Sequence, residues 1–241
     1  MASRRSRQVA CGLAFVFFAI SRVFAGSFQV GPVSATLSAE HRVAALTVRN
    51  TGSDAATIQL QAMAWSQAAG KDHYVPADDI LATPPIFTVP AGGSQVIRVG
   101  SRRAPDARNE RAYRLFLREV PPAPKPGFKG LRMVLEISLP VFVQPAATSA
   151  PDLHWQAIRV DASHIKLTVN NSGSAHARLS HFALVAEAGK ALPMSANTVY
   201  VLPGCSHEWL IDGAEASGSR LTLTTESDAQ ALRIDLAVAG S

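Results

Sequence analysis

Between Leu131 and Val143 the chain reads LRMVLEISLPVFV, in which Leu131, Met133, Leu135, Ile137 and Leu139 alternate with Arg132, Val134, Glu136 and Ser138. Successive side chains of a β-strand point to opposite faces, so the five apolar residues form one continuous row. A strand of this length spans on the order of 40 Å at ~3.3 Å per residue, about twice the usual length in a globular protein. One face of any sandwich strand packs inside its own domain, which would account for part of the row. Pro140 adds a second constraint, because proline cannot donate to a ladder and is confined to edges, strand starts or bulges. A long apolar row on an edge strand is an aggregation hazard unless something covers it. These residues favour a recognition edge offered to another protein.

The ends of the chain set its surroundings. Arg4, Arg5 and Arg7 precede an apolar stretch from Val9 to Ile20, and Val23-Phe24-Ala25 follows. The stretch is too short to span a bilayer, so residues 1–25 read as a cleaved secretory signal peptide. Cys11 precedes most of the hydrophobic region, which argues against a lipoprotein. The whole chain carries a formal net charge of +5, but the leader holds four arginines and no acid, leaving 19 basic residues against 18 acidic ones. Binding of nucleic acid or a membrane surface by bulk charge therefore has no support. One cysteine, Cys205, remains after cleavage. A lone thiol in an exported protein leaves hydrophobic cores to hold the fold.

The mature sequence repeats itself loosely. Leu46-Thr47-Val48-Arg49-Asn50-Thr51-Gly52-Ser53 resembles Leu167-Thr168-Val169-Asn170-Asn171-Ser172-Gly173-Ser174. Each is a β-branched strand ending in an Asn-x-Gly-Ser turn signal. The copies lie 121 positions apart, which suits two sandwich domains of roughly 100 residues each. Pro145 to Pro151 is a small-residue, proline-bounded linker, giving domains at 26–147 and 148–241. Further strands are expected at 58–65, 95–99 and 113–120, then at 165–169, 179–185, 199–202, 220–224 and 231–238. No stretch combines helical apolar spacing with capping signals, so the chain is all-β.

Catalytic and metal-binding signatures are missing. There is no G-x-S-x-G elbow and no H-E-x-x-H pair, and the seven histidines are dispersed, with His176 and His181 on opposite faces of a strand. Neither an enzyme activity, a cofactor nor a bound metal is expected. Residues 26–150 carry a net charge of +4 and residues 151–241 a net of −3. Arg98, Arg102, Arg103, Arg108, Arg111, Arg114 and Arg118 make up much of the positive excess. They read either as a solvated face or as a groove for an anionic group.

Several segments together carry a resemblance: Ala45 to Gly52, Pro84 to Val99, Tyr113 to Pro122 (YRLFLREVPP) and Tyr200-Val201-Leu202-Pro203-Gly204. Over 28–238 the chain resembles the periplasmic pilus-assembly chaperones of the chaperone–usher pathway. The resemblance implies two immunoglobulin-like sandwiches in a boomerang arrangement, with a subunit-binding cleft. It implies that the last strand of the first domain completes the unfinished sandwich of a pilus subunit. Leu131, Met133, Leu135 and Ile137 would then enter the subunit, with Leu139 near the cleft. At ~1.5–3 kcal/mol per buried side chain, the four would contribute roughly 6–12 kcal/mol before ordering and association costs. Many relatives hold the subunit's C-terminal carboxylate with two basic residues, but Ser34 and Pro140 occupy the aligned positions here. This departure resembles the archaic branch. Arg114 is the candidate to supply the charge, with Arg118 as its rival, because guanidinium pairs bidentately with carboxylate. The implied partners are pilus subunits and an outer-membrane usher, with self-association of the free protein and without nucleotide or nucleic acid. The alternative is a structural pilus subunit or another secreted immunoglobulin-like binding protein.

Overall fold

The computed structural model describes residues 28–122, 133–195, 197–213, 218–228 and 230–240, and every regular element among them is a β-strand. The expected signal peptide lies outside these residues, as do Leu131 and Arg132.

The first ten strands build one sandwich. Its first sheet holds β1 (Phe28–Gly31), β3 (Val43–Asn50), β8 (Ser94–Ser101) and β6 (Ile80–Thr83), side by side in that order. The second runs β2 (Ala35–Leu37), β10 (Glu136–Val143), β9 (Arg111–Val120), β4 (Ala56–Ala68) and β5 (Lys71–Pro76), with β7 (Ile86–Val89) also paired to β4. Alternation puts Leu46 and Val48 of β3, Ile97 and Val99 of β8, and Tyr113, Leu115 and Leu117 of β9 into a shared core. Period-2 patterning on both sheets is what lets them pack face to face.

The remaining strands form a second unit around its own core. They are β11 (Leu153–Arg159), β12 (His164–Asn171), β13 (Ala177–Ala186), β14 (Ala191–Leu192), β15 (Val199–Val201), β16 (Ser206–Asp212), β17 (Arg220–Ser227) and β18 (Gln230–Ala239). A short parallel bridge, Ala157↔Val238 and Ile158↔Ala239, joins β11–β12–β16 to the sheet of β13, β17 and β18. Ile165, Leu167, Leu179, Leu184, Leu221 and Leu223 are fully enclosed between them. The linker is itself tied down, since Ala146 N donates to Asp106 O at 2.8 Å.

The repeated Asn-x-Gly-Ser signal has the same physical role in both units. Asn50 is buried at the end of β3, where its Nδ2 donates to Asp54 O (2.7 Å) and Val89 O (3.1 Å) and its Oδ1 accepts from Gly52 N. Asn171, buried at the end of β12, donates to Ala175 O (2.8 Å) and Val201 O (2.9 Å) and accepts from Gly173 N and Asp152 N. Each side chain folds its own turn and pins a neighbouring strand, satisfying backbone groups that would otherwise be buried unpaired.

Candidate functional site

Strand β10 is paired unevenly. It runs beside β9 along its whole length, from Glu136↔Arg118 to Val143↔Arg111, but meets β2 only at Val141, Phe142 and Val143. Among the described residues, the other rim of Glu136–Pro140 has no partner strand. The chain stays next to β9 a little earlier, where Glu119 N donates to Leu135 O at 2.9 Å.

The apolar row is graded along this segment. Met133 is 76% exposed, Leu135 and Ile137 are half-buried, and Leu139 is 5% exposed. Ile137 packs against the edge of the core, while Leu139 lies inside it with Val141 and Val143. Among the described residues the regular strand begins at Glu136, and Leu139 is packed inside its own sandwich. The cause is simple: the four-stranded sheet covers the row only as far as Ile137, so the sequence alternation outruns the core.

The opposite face of the same sheet meets the second unit. Trp65, Phe142 and Leu202 are buried together, with Ala112, Tyr200 and Cys205 around them. Trp65 and Tyr200 make an edge contact at 5.5 Å, and the His176 ring stacks on Phe142 at 3.5 Å. Two side chains stitch this seam. Gln67, near the end of β4, donates from Nε2 to Tyr200 O (2.9 Å) and accepts at Oε1 from Leu202 N (3.0 Å), in the manner of a bridge between strands. Glu110, almost fully buried, accepts from His176 Nδ1 (2.6 Å) and His176 N (3.2 Å). Sequence reasoning passed over Gln67 and Glu110 and weighed His176 only as a metal ligand; their partners across the seam are 66 or more positions away, and no local pattern encodes such pairings.

The arginines separate into distinct environments. Arg103 and Arg111 pair with Asp79, which also accepts from the Tyr113 hydroxyl at 2.7 Å. Burial, then the hydrogen bond to Asp79, push the Tyr113 phenol up to about 12. Arg118 is exposed and holds Glu136 at 2.6 Å, across the first register pair of the β9–β10 ladder. Arg114 differs. Its guanidinium carbon lies 3.9 Å from the Trp65 ring centroid and 5.3 Å from that of Tyr200, a stacked arrangement that suits guanidinium. Its Nε is buried without a hydrogen-bond partner. Arg114 is opposite Pro140 in register, and Ser34 immediately precedes Ala35, the partner of Val141. Pro140 and Arg114 thus fall on one row across two adjacent strands, with Ser34 just before β2 at the end of that row.

Arg114 borders a cavity of about 210 Å³ with Trp65, Gln67, Asp72, Tyr200 and His207. Asp72, on β5, accepts from Gln67 Nε2 and from the Tyr74 hydroxyl, each at 2.9 Å. Burial would raise its carboxyl; hydrogen bonds from Gln67, Trp65 and Tyr74 and then the charge of Arg114 outweigh burial and hold it below the ordinary carboxylate value. No carboxylate lies within ion-pairing distance of Arg114 among the described residues.

Other polar groups lack a convergent geometry. Asp152, His154 and Ser172 gather the atoms of a hydrolytic triad, but Asp152 Oδ2 and Ser172 Oγ both contact His154 Nε2, and Ser172 also donates to Asp152 directly. A triad needs the acid and the nucleophile on opposite ring nitrogens. No cluster of three metal-ligating side chains occurs among the described residues. Burial pushes the Cys205 thiol up, which disfavours the reactive thiolate.

Two β-sandwiches joined by an aromatic seam, one of them with a strand open along half its rim among the described residues, define an all-β protein of immunoglobulin-like domains. The chain belongs to the family of pili and flagellar-assembly chaperones, whose PapD N-terminal domain model matches residues 27–149. Members of this family are assembly chaperones rather than enzymes. The fold is similar to that of the CsuC–CsuE chaperone–tip adhesion subunit complex from archaic chaperone-usher pili of Acinetobacter baumannii. That match has 22% identity and a TM-score of 0.68, and covers 88% of this chain and 99% of the other. The Salmonella enterica SafB chaperone complex with SafA pilin matches at 19% identity and TM-score 0.61, covering 88% and 97% of the two chains. The E. coli chaperone DraB matches at 18% and 0.61, covering 87% and 95%. Among curated protein sequences there is no match.

Proposed function

We propose that this protein is a periplasmic chaperone of the archaic chaperone–usher branch, which holds pilus subunits by donor-strand complementation and passes them to an outer-membrane usher. One observation carries the reading: the rim of Glu136–Pro140, unpaired among the described residues, spans the point where the apolar row leaves its own core. A client strand added there gains main-chain hydrogen bonds from the rim and side-chain contacts from Met133, Leu135 and Ile137. Leu131, outside the described residues, continues the same alternation. Arg114, opposite Pro140 in register, supplies the cation for the subunit's terminal carboxylate. Arg118 is already neutralised by Glu136. Export follows from the leader read at residues 1–25, and the domains divide near residue 148. Titles of the similar structures describe a chaperone with a tip adhesion subunit and a chaperone with a pilin, in keeping with this role. Handover needs no nucleotide, because folding of the client drives exchange. Before loading, the free rim is capped by self-association of the chaperone, which removes the edge hazard.

The test is co-expression of the chain with a candidate secreted subunit. A one-to-one complex is expected from the wild type and none from Leu135→Asp, with the circular dichroism of the free variant unchanged. Losing the leucine alone removes ~1.5–3 kcal/mol, and a carboxylate in an apolar groove adds a further desolvation cost. Loss of β structure in the free variant, or retention of the complex, would overturn the proposal.

A further inference from the structure

The cavity beside Arg114 holds an acid that a simple anion receptor would lack. Asp72 is fixed there from both sides: Gln67 Nε2 donates to Oδ1 and the Tyr74 hydroxyl to Oδ2. The same Gln67 nitrogen also donates to Tyr200 O, so Asp72 is tied into the seam between the two units rather than waving from the β4–β5 hairpin. Across the cavity, Arg114 is held flat by Trp65 and Tyr200, with its Nε buried and unpartnered. The two opposite charges share one small cavity yet make no direct ion pair within 4.0 Å among the described residues. Trp65, stacked on Arg114, also helps to hold the Asp72 carboxyl low, so the two charges share a neighbour without touching.

This arrangement has two opposed electrostatic effects. A guanidinium that is partly stripped of water is costly alone, and a carboxylate lining the same cavity offsets that cost. The same carboxylate repels any anion that approaches Arg114.

We propose that Asp72 is a specificity-determining counter-ion, which stabilises Arg114 in the empty cavity and weakens its hold on an incoming terminal carboxylate. The inference rests on Arg114 being the carboxylate anchor and deepens that reading. Its consequence is selectivity. A free anion in solution binds Arg114 only weakly against the repulsion of Asp72, whereas a carboxylate delivered on a chain already docked along β10 needs no high affinity of its own. Release is eased for the same reason, since Asp72 replaces the departing anion as the charge facing Arg114.

The experiment uses the full chain, N-acetyl-phenylalanine as a carboxylate probe, and N-acetyl-phenylalaninamide as its neutral twin. Binding is read by NMR from the Arg114 Nε–H and Trp65 Nε1–H signals, both from buried nitrogens of side chains that line the cavity. The wild type should bind the carboxylate weakly and the amide not measurably. Asp72→Asn should tighten carboxylate binding on the order of three- to tenfold, as expected for removing a like charge in a half-exposed cavity, and leave the amide unchanged. Asp72→Ser guards against a mispaired side-chain amide in the first variant and should give the same gain. Arg114→Gln should abolish the difference between the two probes. Equal or weaker binding by both Asp72 variants, with Arg114→Gln still abolishing discrimination, would overturn the counter-ion role and leave the anchor standing. No discrimination in the wild type, or full discrimination in Arg114→Gln, would overturn both.

Discussion

Replacing Asn171 by alanine tests how much of the second sandwich depends on one side chain. Four hydrogen bonds are lost together: two donated to Ala175 O and Val201 O, two accepted from Gly173 N and Asp152 N. Asn171 is fully buried, so water cannot replace them without opening the turn. At a net ~0.5–1.5 kcal/mol per bond the loss is roughly 2–6 kcal/mol, and the stranded carbonyls favour the upper half of that range. Asn50 makes three such bonds in the first sandwich, so Asn50→Ala should cost less and act on the other unit. Urea unfolding in a Trp65→Phe background isolates the fluorescence of Trp155 and Trp209, which report the second unit. The expected result is a lower midpoint for Asn171→Ala and a near-normal one for Asn50→Ala in this signal. A loss under ~1 kcal/mol for Asn171→Ala would refute the reasoning, because it would mean that the buried groups find other partners. The variant also reaches the seam between the two units, since Asn171 holds Val201 O and its own N–H donates to Cys205 O, bracketing the loop that carries Leu202 beside Tyr200.

Arg114→Ala should impair capture of a subunit whereas Arg118→Ala should not, because the exposed Arg118–Glu136 pair is worth only ~0–1 kcal/mol; pull-down of a tagged subunit by each variant compares them, and equal loss would remove Arg114's special status. Burial holds His207 below its ordinary value of 6.5, against the opposing charges of Asp72 and Glu208. The unfolded chain therefore takes up a proton first, so stability is full above about pH 6.5 and declines as pH falls through the lower folded value. His207→Gln should flatten that decline in urea midpoints measured between pH 7 and 5, and an unchanged slope would contradict it.

Much of the architecture could be read locally. The Asn50 and Asn171 turns were visible because a side chain that folds its own turn leaves its signature within four residues. Strands β9, β12 and β17 showed because each has one face in a core. Strand β5, Lys71-Asp72-His73-Tyr74-Val75-Pro76, gave no alternation because all six residues are exposed, and with it went any view of Asp72. Arg114 could be nominated from its strand and from the lack of a base at Ser34 and Pro140. Its aromatic enclosure could not, since Tyr200 joins it only when the two units close on each other. The alternation through Leu139 was real, but periodicity reports which way a side chain points and not where the covering sheet ends.

Strand β10 is gripped on both flanks over Val141–Val143 and on one flank over Glu136–Pro140. Mechanically it is a shelf: its back edge is fastened to β9 throughout, and one end is sunk in the protein's own interior. In the proposed role, a client on the open flank adds to a strand already held from behind, so loading and unloading leave the host sandwich intact.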